Sequence, residues 1–386
     1  MSRTAIKGWC PSAHRPMPSG DGLVVRVRPR LSRLSPGQAL GVADLATRYG
    51  NGLIDLTGRA NLQIRGLNED DHAPLFAALA QLDLVDLDAG TESERNILLT
   101  PFWSEGDDTH LIAVELERAL GEGARGLPAK FGFAVDCGKA RLLAQAPADV
   151  RIERGSGGEV IVRADGSSHG RSVNARDAVS LALALADWFV KSGGTRGQSR
   201  MAGHIAGGAS LPRSLAGEVA PARALRLPSP GIDARGALVG LAFGQMQSAA
   251  LTCLARSASS LRMTPWRMIL LEGLTEMPRH DGLVTCGEDP LLRVSACTGA
   301  PACKAAYAET RALGAALAPF VPARTELHVS GCDKGCAHPA PAATTLIATA
   351  DGFDLVRDGA TRDAPVRRGL TRASILADPC AVLEAG

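Results

Sequence analysis

Four cysteines stand in two closely spaced pairs in the C-terminal third of this 386-residue chain. Ser295-Ala-Cys297-Thr-Gly-Ala-Pro-Ala-Cys303 separates the first pair by five residues, and Ser330-Gly-Cys332-Asp-Lys-Gly-Cys336 separates the second by three. A cubane iron–sulfur cluster needs four thiolates converging on one small volume, with short loops that let the backbone wrap it. Gly299, Gly331 and Gly335 supply that freedom, since glycine reaches positive φ without a steric penalty, while Pro301 and Pro339 stiffen the loops. The pattern points to a 4Fe-4S cluster on Cys297, Cys303, Cys332 and Cys336. Zinc remains an alternative; its usual pairs lie two to four residues apart, which suits the second pair and not the first. Of the other five cysteines, Cys137, Cys253, Cys286 and Cys380 are expected to be ordinary buried residues, and Cys10 to lie near a pocket.

Two further groups of side chains could bind an anion. Alternation along residues 61–67 puts Asn61, Gln63 and Arg65 on one face and Leu62 and Ile64 on the other, with Arg59 just before them. Arg26, Arg28 and Arg30 form a second such row. Guanidinium forks match planar carboxylates, so either row could hold a carboxylate-rich ligand; either could equally be a solvated strand face. Gly155-Ser-Gly157-Gly158 opens no helix and reads as a hairpin, not as a dinucleotide-binding loop.

These residues must be positioned by a soluble α+β protein long enough for two or three ordinary domains. Hydrophobic residues make up 45% and charged residues 21% of the chain, and the net charge is +2, which suggests neither a nucleic-acid nor a membrane-surface partner. Residues 1–22 show no signal-peptide core, and the longest apolar run, 179–190, is broken by Asp187, so a cytoplasmic protein is expected. Nine cysteines there mean metal or redox chemistry, not a disulfide scaffold.

Strand, helix, strand, strand is expected over residues 1–72, and a second unit with strands and two helices over 90–225, ending in a Gly-, Pro-, Ser- and Arg-rich connector. The pattern then recurs. Leu53–Thr57 and Arg65–Leu67 can be laid on Leu261–Thr264 and Glu272–Leu274, giving a third unit at 226–280, and a fourth unit at 281–386 mirrors the second. A duplicated domain pair with a pseudo-twofold axis and a central cleft follows, unless two αβ segments share a generic pattern by chance.

The cysteine spacing within such a repeat resembles the sulfite and nitrite reductase family. Thr57-Gly-Arg59-Ala-Asn-Leu-Gln63 is similar to that family's Thr-x-Arg-x-x-x-Gln element, Arg95-Asn96-Ile97 to its Arg-Asn-Val, and Leu127-Pro-Ala-Lys130-Phe131-Gly132 to its Leu-Pro-Arg-Lys-Phe-Lys. The resemblance implies a ferredoxin-like half-domain in two copies, each followed by an α/β cluster and tetrapyrrole domain. It implies that Arg59 and Gln63, with Arg26 and Arg28, hold a tetrapyrrole's carboxylates, that Arg95 and Lys130 are catalytic, and that Cys336 lies beside the macrocycle. Gly132 replaces the second lysine of sulfite-reducing members, which weakens the case for sulfite reduction.

Residues 9–29, from Trp9-Cys10-Pro11 to Arg28-Pro29, resemble the opening of the family's oxygen-using precorrin-3B synthase branch, which acts in aerobic cobalamin biosynthesis. That branch implies precorrin-3A and dioxygen as substrates, a 4Fe-4S cluster, a mononuclear non-haem iron and NADH. The reaction is a monooxygenation, with hydroxylation at C20 and γ-lactone closure. No facial-triad signature names ligands for the iron; His14, His204 and His338 are candidates. Electrons are expected to arrive through a separate reductase. The alternative is a sirohaem-dependent nitrite or sulfite reductase; a non-enzymatic electron-transfer or tetrapyrrole-carrier protein is a further possibility.

Overall fold

The computed structural model describes residues 11–123, 125–139, 141–196 and 200–383, so Trp9 and Cys10 lie outside the described residues. The first copy is built around the helix Pro36–Tyr49. Ser35 accepts from the Gln38 N–H while the Gln38 side chain returns to the Ser35 N–H, a capping box reinforced by Pro36 in the first turn. Its Ala39, Val42, Ala43, Leu45 and Ala46 face a core shared with Leu75 and Leu79 of helix His72–Gln81.

Beside this helix the strands Gly22–Val27, Leu62–Leu67 and Leu53–Leu56 pair antiparallel, in that order. The fifth strand of this sheet is Gln245–Gln247, from the second copy, paired with Leu53–Leu56. The second copy's sheet, built on Gly236–Leu241, Met268–Glu272 and Ser260–Met263, is completed by Arg33–Leu34 from the first copy. This reciprocal exchange of edge strands merges both copies into one hydrophobic core and covers the edges of Leu53–Leu56 and Ser260–Met263.

The repeat extends to the backbone. Thr57 N–H donates to Asn61 O and Thr264 N–H to Met268 O, closing equivalent turns with Ala60 at φ 54° and Arg267 at φ 60°. Arg65 and Asp55 form a buried cross-strand ion pair at 2.9 Å. Their counterparts are Glu272 and Arg262, paired at 2.6 Å with the charges exchanged.

The two α/β units also match. Strands Ile97–Leu99, Phe133–Asp136 and Val150–Arg154 run parallel, followed by antiparallel Val160–Ala164 and Arg171–Ser172. Strands Val294–Ala296, Leu327–Ser330 and Ala342–Thr349 run parallel, followed by antiparallel Gly352–Gly359 and Arg367–Leu370. Each unit has its own core. The fold is thus α+β, a duplicated ferredoxin-like half plus a duplicated α/β unit. Gly155–Gly158 joins Val150–Arg154 to Val160–Ala164 as the expected hairpin. No helix among the described residues is long and apolar enough to cross a membrane.

Candidate functional site

The parallel pairing of Ala296 with Val329 starts the two cysteine loops side by side. Cys297 directly follows its strand, and Cys332 follows its own by one residue. Gly331 N–H donates to Cys297 Sγ at 3.2 Å and Tyr307 N–H to Gly331 O at 2.9 Å, which ties one loop to the other. Gly299, at φ 69°, lets its loop turn against Thr310; a Cβ there would come within 2.7 Å of Thr310 Oγ1. Cys332 is buried, Cys297 and Cys303 are half-buried, and Cys336 is exposed. The four sulfurs lie in electrostatic range of one another: burial, and then the charge of the neighbouring cysteines, raises the thiols of Cys332 and Cys336. Among the described residues no group of three or more His, Cys, Asp or Glu side chains is gathered as a single-ion site. Paired loops, a backbone N–H on sulfur, and Cys332 and Cys336 each within electrostatic reach of Cys297 and Cys303 fit a cubane.

The cysteine loops form one wall of a cleft between the two equivalent turns. Two adjoining lobes, of about 640 and 370 Å³, share Thr57, Gly58, Pro265, Cys336 and Ala337. Arg26 and Arg59 line the larger lobe with Trp266, Leu142 and His338. Gln63 lines the smaller one with Cys297, Arg267 and Arg311. Arg59 is braced by Lys130 O at 2.9 Å. Gly132 leaves it room, since a Cβ at 132 would stand 3.2 Å from Arg59 Nη1.

Three expected site residues do not line the cleft. Arg95 is buried and donates to Asp86 at 2.8 Å and Arg28 O at 3.0 Å, with Glu117 at 3.5 Å. It faces a small gap with Arg59, Asn61 and Asn96. Neighbouring carboxylates have captured its fork, so in this structure it braces the wall behind Arg59. Arg28 donates to Glu92 O; burial, and then Arg26, lowers it to about 10. Lys130 is half-buried and reaches the site only through its carbonyl. Arg65, on the same strand face as Gln63, is spent on Asp55, Asp21 and Ser19.

The candidate histidines are not brought together. His14 bonds Asp86 O at 2.8 Å, His204 pairs with Ser192 Oγ at 2.8 Å beside Trp188, and His338 lines the cleft with Glu326 at 3.6 Å. The described residues therefore offer no ligand set for a mononuclear iron. The cysteines expected to be buried also divide: Cys137 is buried, Cys253 is half-buried, and Cys286 and Cys380 are exposed. The latter two lie in surface loop and terminal-helix positions that their neighbours do not cover.

Arg267 and Arg311 are the main residues the sequence reading missed. Arg267 donates to Ala337 O at 3.0 Å and Ser295 Oγ at 3.3 Å; Arg311 lies 3.5 Å from Asp55. Burial, and then the charge on Arg311, holds Arg267 below the ordinary guanidinium value. Arg311 is lowered by burial first. Asp55 is already engaged by Arg65 and Gln245, so the lobe beside Cys297 carries positive charge that no carboxylate fully offsets. Arg267 could have been found: it stands at the place in the second turn that Ala60 holds in the first.

Comparisons with known proteins agree with this architecture. Residues 15–82 match the nitrite/sulfite reductase ferredoxin-like half domain. A precorrin-3B synthase from Sinorhizobium sp is 28% identical over 415 aligned residues, covering 93% of this chain and 84% of that protein. A ferredoxin–nitrite reductase from Leptolyngbya laminosa is 29% identical over 138 residues, 33% of this chain and 27% of that one. Among solved structures, the Mycobacterium tuberculosis NirA protein superposes with a TM-score of 0.68 at 15% identity, covering 93% of this chain and 79% of that chain. The chain has a nitrite/sulfite reductase-like fold and resembles precorrin-3B synthase over nearly its whole length.

Proposed function

We propose that this chain is an oxidoreductase of cobalamin biosynthesis, a precorrin-3B synthase-type monooxygenase acting on precorrin-3A. The observation that carries the reading is the cleft itself, where Arg26, Arg59, Arg267 and Arg311 surround a space floored by Cys297 and Cys336. A metal-free tetrapyrrole with carboxylates around its rim suits such a space. Guanidiniums bind the rim by charge-assisted hydrogen bonds, and Trp266, Leu142 and Leu227 offer apolar surface to the ring.

The reaction hydroxylates C20 and closes the ring-A acetate to a γ-lactone. One atom of dioxygen enters the product and the other leaves as water, so two electrons and two protons come from outside. A 4Fe-4S cluster held by Cys297, Cys303, Cys332 and Cys336 would supply electrons singly. The chain's own part is to bind and orient: Arg59, fixed by Lys130 O, and Arg267, fixed by Ala337 O, hold opposite sides of the rim. No step is assigned to a mononuclear iron, because the residues described do not gather ligands for one. Electrons from NADH would arrive through a separate reductase.

Aerobic incubation with precorrin-3A, a reductase and NADH tests the reading by product mass, with a gain of one oxygen atom expected. A haem-like visible spectrum in the purified protein, with no such product, would replace it by a sirohaem-dependent nitrite or sulfite reductase. Cluster bands with neither product nor oxygen uptake would indicate a carrier.

A further inference from the structure

The first α/β unit repeats the fold of the cysteine-bearing one, and ligands of open α/β sheets bind beyond the carboxyl ends of the parallel strands. At that end of Ile97–Leu99, Phe133–Asp136 and Val150–Arg154 lies a cavity of about 1090 Å³. It is walled by the loops after these strands, by the Ala222–Pro228 strap and by the Asp233–Arg235 turn. The strap is held in place by Leu225 N–H on Arg141 O at 3.0 Å and Ala222 N–H on Arg154 O at 2.9 Å. Leu142 separates the cavity from the cleft, lining both.

Its charged lining is unequal. Lys139, Arg154, Arg226 and Arg235 face it, against Asp107 and Asp233. The acids are occupied: Asp107 accepts from Ser104 and His110 N–H groups, and Asp233 from Arg235 N–H. Arg154 is engaged by Asp108, Cys137 O and Gly158 O. Arg235 makes one side-chain bond, to Ser104 Oγ at 3.2 Å. Lys139 and Arg226 are exposed and make no hydrogen bond or ion pair among the described residues. These three cations come from three different segments, so one monovalent anion would not satisfy them. A phosphate chain has oxygens enough to meet ammonium and guanidinium groups at once. Phe102, Leu142, Leu225 and Pro228 complete the wall with apolar surface, and Leu225 is 51% exposed although it faces the cavity. A flat apolar body would cover it.

We propose that this cavity is a second ligand site, separate from the tetrapyrrole cleft, and that it binds a nucleoside diphosphate through Lys139, Arg226 and Arg235. The test is isothermal titration of the full-length protein with ADP, pyrophosphate and adenosine at low ionic strength. One equivalent of ADP is expected to bind, more tightly than pyrophosphate, and adenosine more weakly than either. The double variant Lys139→Ala/Arg226→Ala should lose about tenfold or more of the affinity for ADP and pyrophosphate and little for adenosine. Both side chains are exposed, so the thermal midpoint should be unchanged, and Arg226→Glu alone gives a second reading. Arg59→Ala, in the cleft, should bind ADP normally. The proposal is overturned if ADP and pyrophosphate give no saturable heat, if the double variant binds as tightly as wild type, or if binding is lost in Arg59→Ala instead. Pyrophosphate binding as tightly as ADP would remove the nucleoside from it.

Discussion

The two α/β units share one strand order and differ in what closes their loops. At matching points Thr100 N–H donates to Val135 O and Cys297 N–H to Val329 O, so Thr100 stands where the other unit has its first cluster-type cysteine. In the first unit the loop after the middle strand is closed by the protein itself: buried Asp136 accepts from Leu142 and Leu143 N–H groups at 2.7 Å each. In the second, Ser330 takes the place of Asp136 and reaches only Cys332 O, and the loop ends on sulfurs. One loop carries its own anion, while the other carries Cys332 and Cys336. The same scaffold thus closes its middle-strand loop on a carboxylate in one unit and on a cysteine pair in the other.

Removing one sulfur from each unit tests that contrast most severely. Cys303→Ala should abolish bound iron, acid-labile sulfide and all turnover, whereas Cys137→Ala should retain all three. Iron and sulfide assays on anaerobically purified protein decide it, and a Cys303→Ala protein with full iron content breaks the comparison. The next largest effect should come from the exchanged ion pairs. Arg65→Ala leaves Asp55 with Arg311 and Gln245 and takes the ion partner from Asp21, and Arg262→Ala leaves Glu272 with Arg33 and Ser260. Each should cost about 1.5–3 kcal/mol in denaturant unfolding, because a carboxylate that keeps a second partner loses its nearest charge-assisted hydrogen bond. If only one of the two variants is destabilised, the halves are not energetically equivalent.

An effect of similar size separates the two turns. Arg59→Ala should weaken substrate binding about ten- to hundredfold, the worth of one charge-assisted contact at roughly 1.5–3 kcal/mol, with the cluster spectrum intact. Gly132→Lys should reproduce that loss, because its side chain needs the space of the Arg59 guanidinium. In the double variant the two losses should not add. Additive losses would show that Gly132 and Arg59 act independently.

The repeat, the strands and the cysteine pairs were legible because each rests on local signals: period-two alternation, capping residues and short Gly-flanked spacing. The exchanged edge strands were not. Arg33–Leu34 and Gln245–Gln247 are too short to carry a pattern, and their partners lie 190 or more residues away in sequence. The polar row Asn61, Gln63 and Arg65 was correctly placed on one strand face, yet only Gln63 reaches the cleft, since Asp55 and Asp21 claim Arg65. The partners of Arg95 were hidden for the same reason. An arginine's role depends on which carboxylate reaches it first, and Asp86 and Glu117 become neighbours only in the fold.

The smallest difference between the units is one of pH. His328, on the middle strand of the cysteine-bearing unit, is fully buried with neither ring nitrogen partnered. Burial, then His338 and Arg267, lowers it to about 4. The unfolded chain takes up the proton near pH 6.5 and the folded chain does not, so this residue's contribution to stability falls as pH drops from about 6.5 toward 4. Between pH 7 and 5 the loss is about 2 kcal/mol. Asp136, raised to about 6 by burial, works in the opposite direction in the other unit, losing stability as pH rises from about 4 through 6. The two slopes oppose each other in wild type. His328→Leu fills a similar volume and removes only the first, so its stability at pH 7 should match wild type or exceed it, and its acid-side loss should shrink by that 2 kcal/mol. Urea midpoints for both proteins across this range check it, and parallel curves would mean that His328 is protonated in the folded state after all.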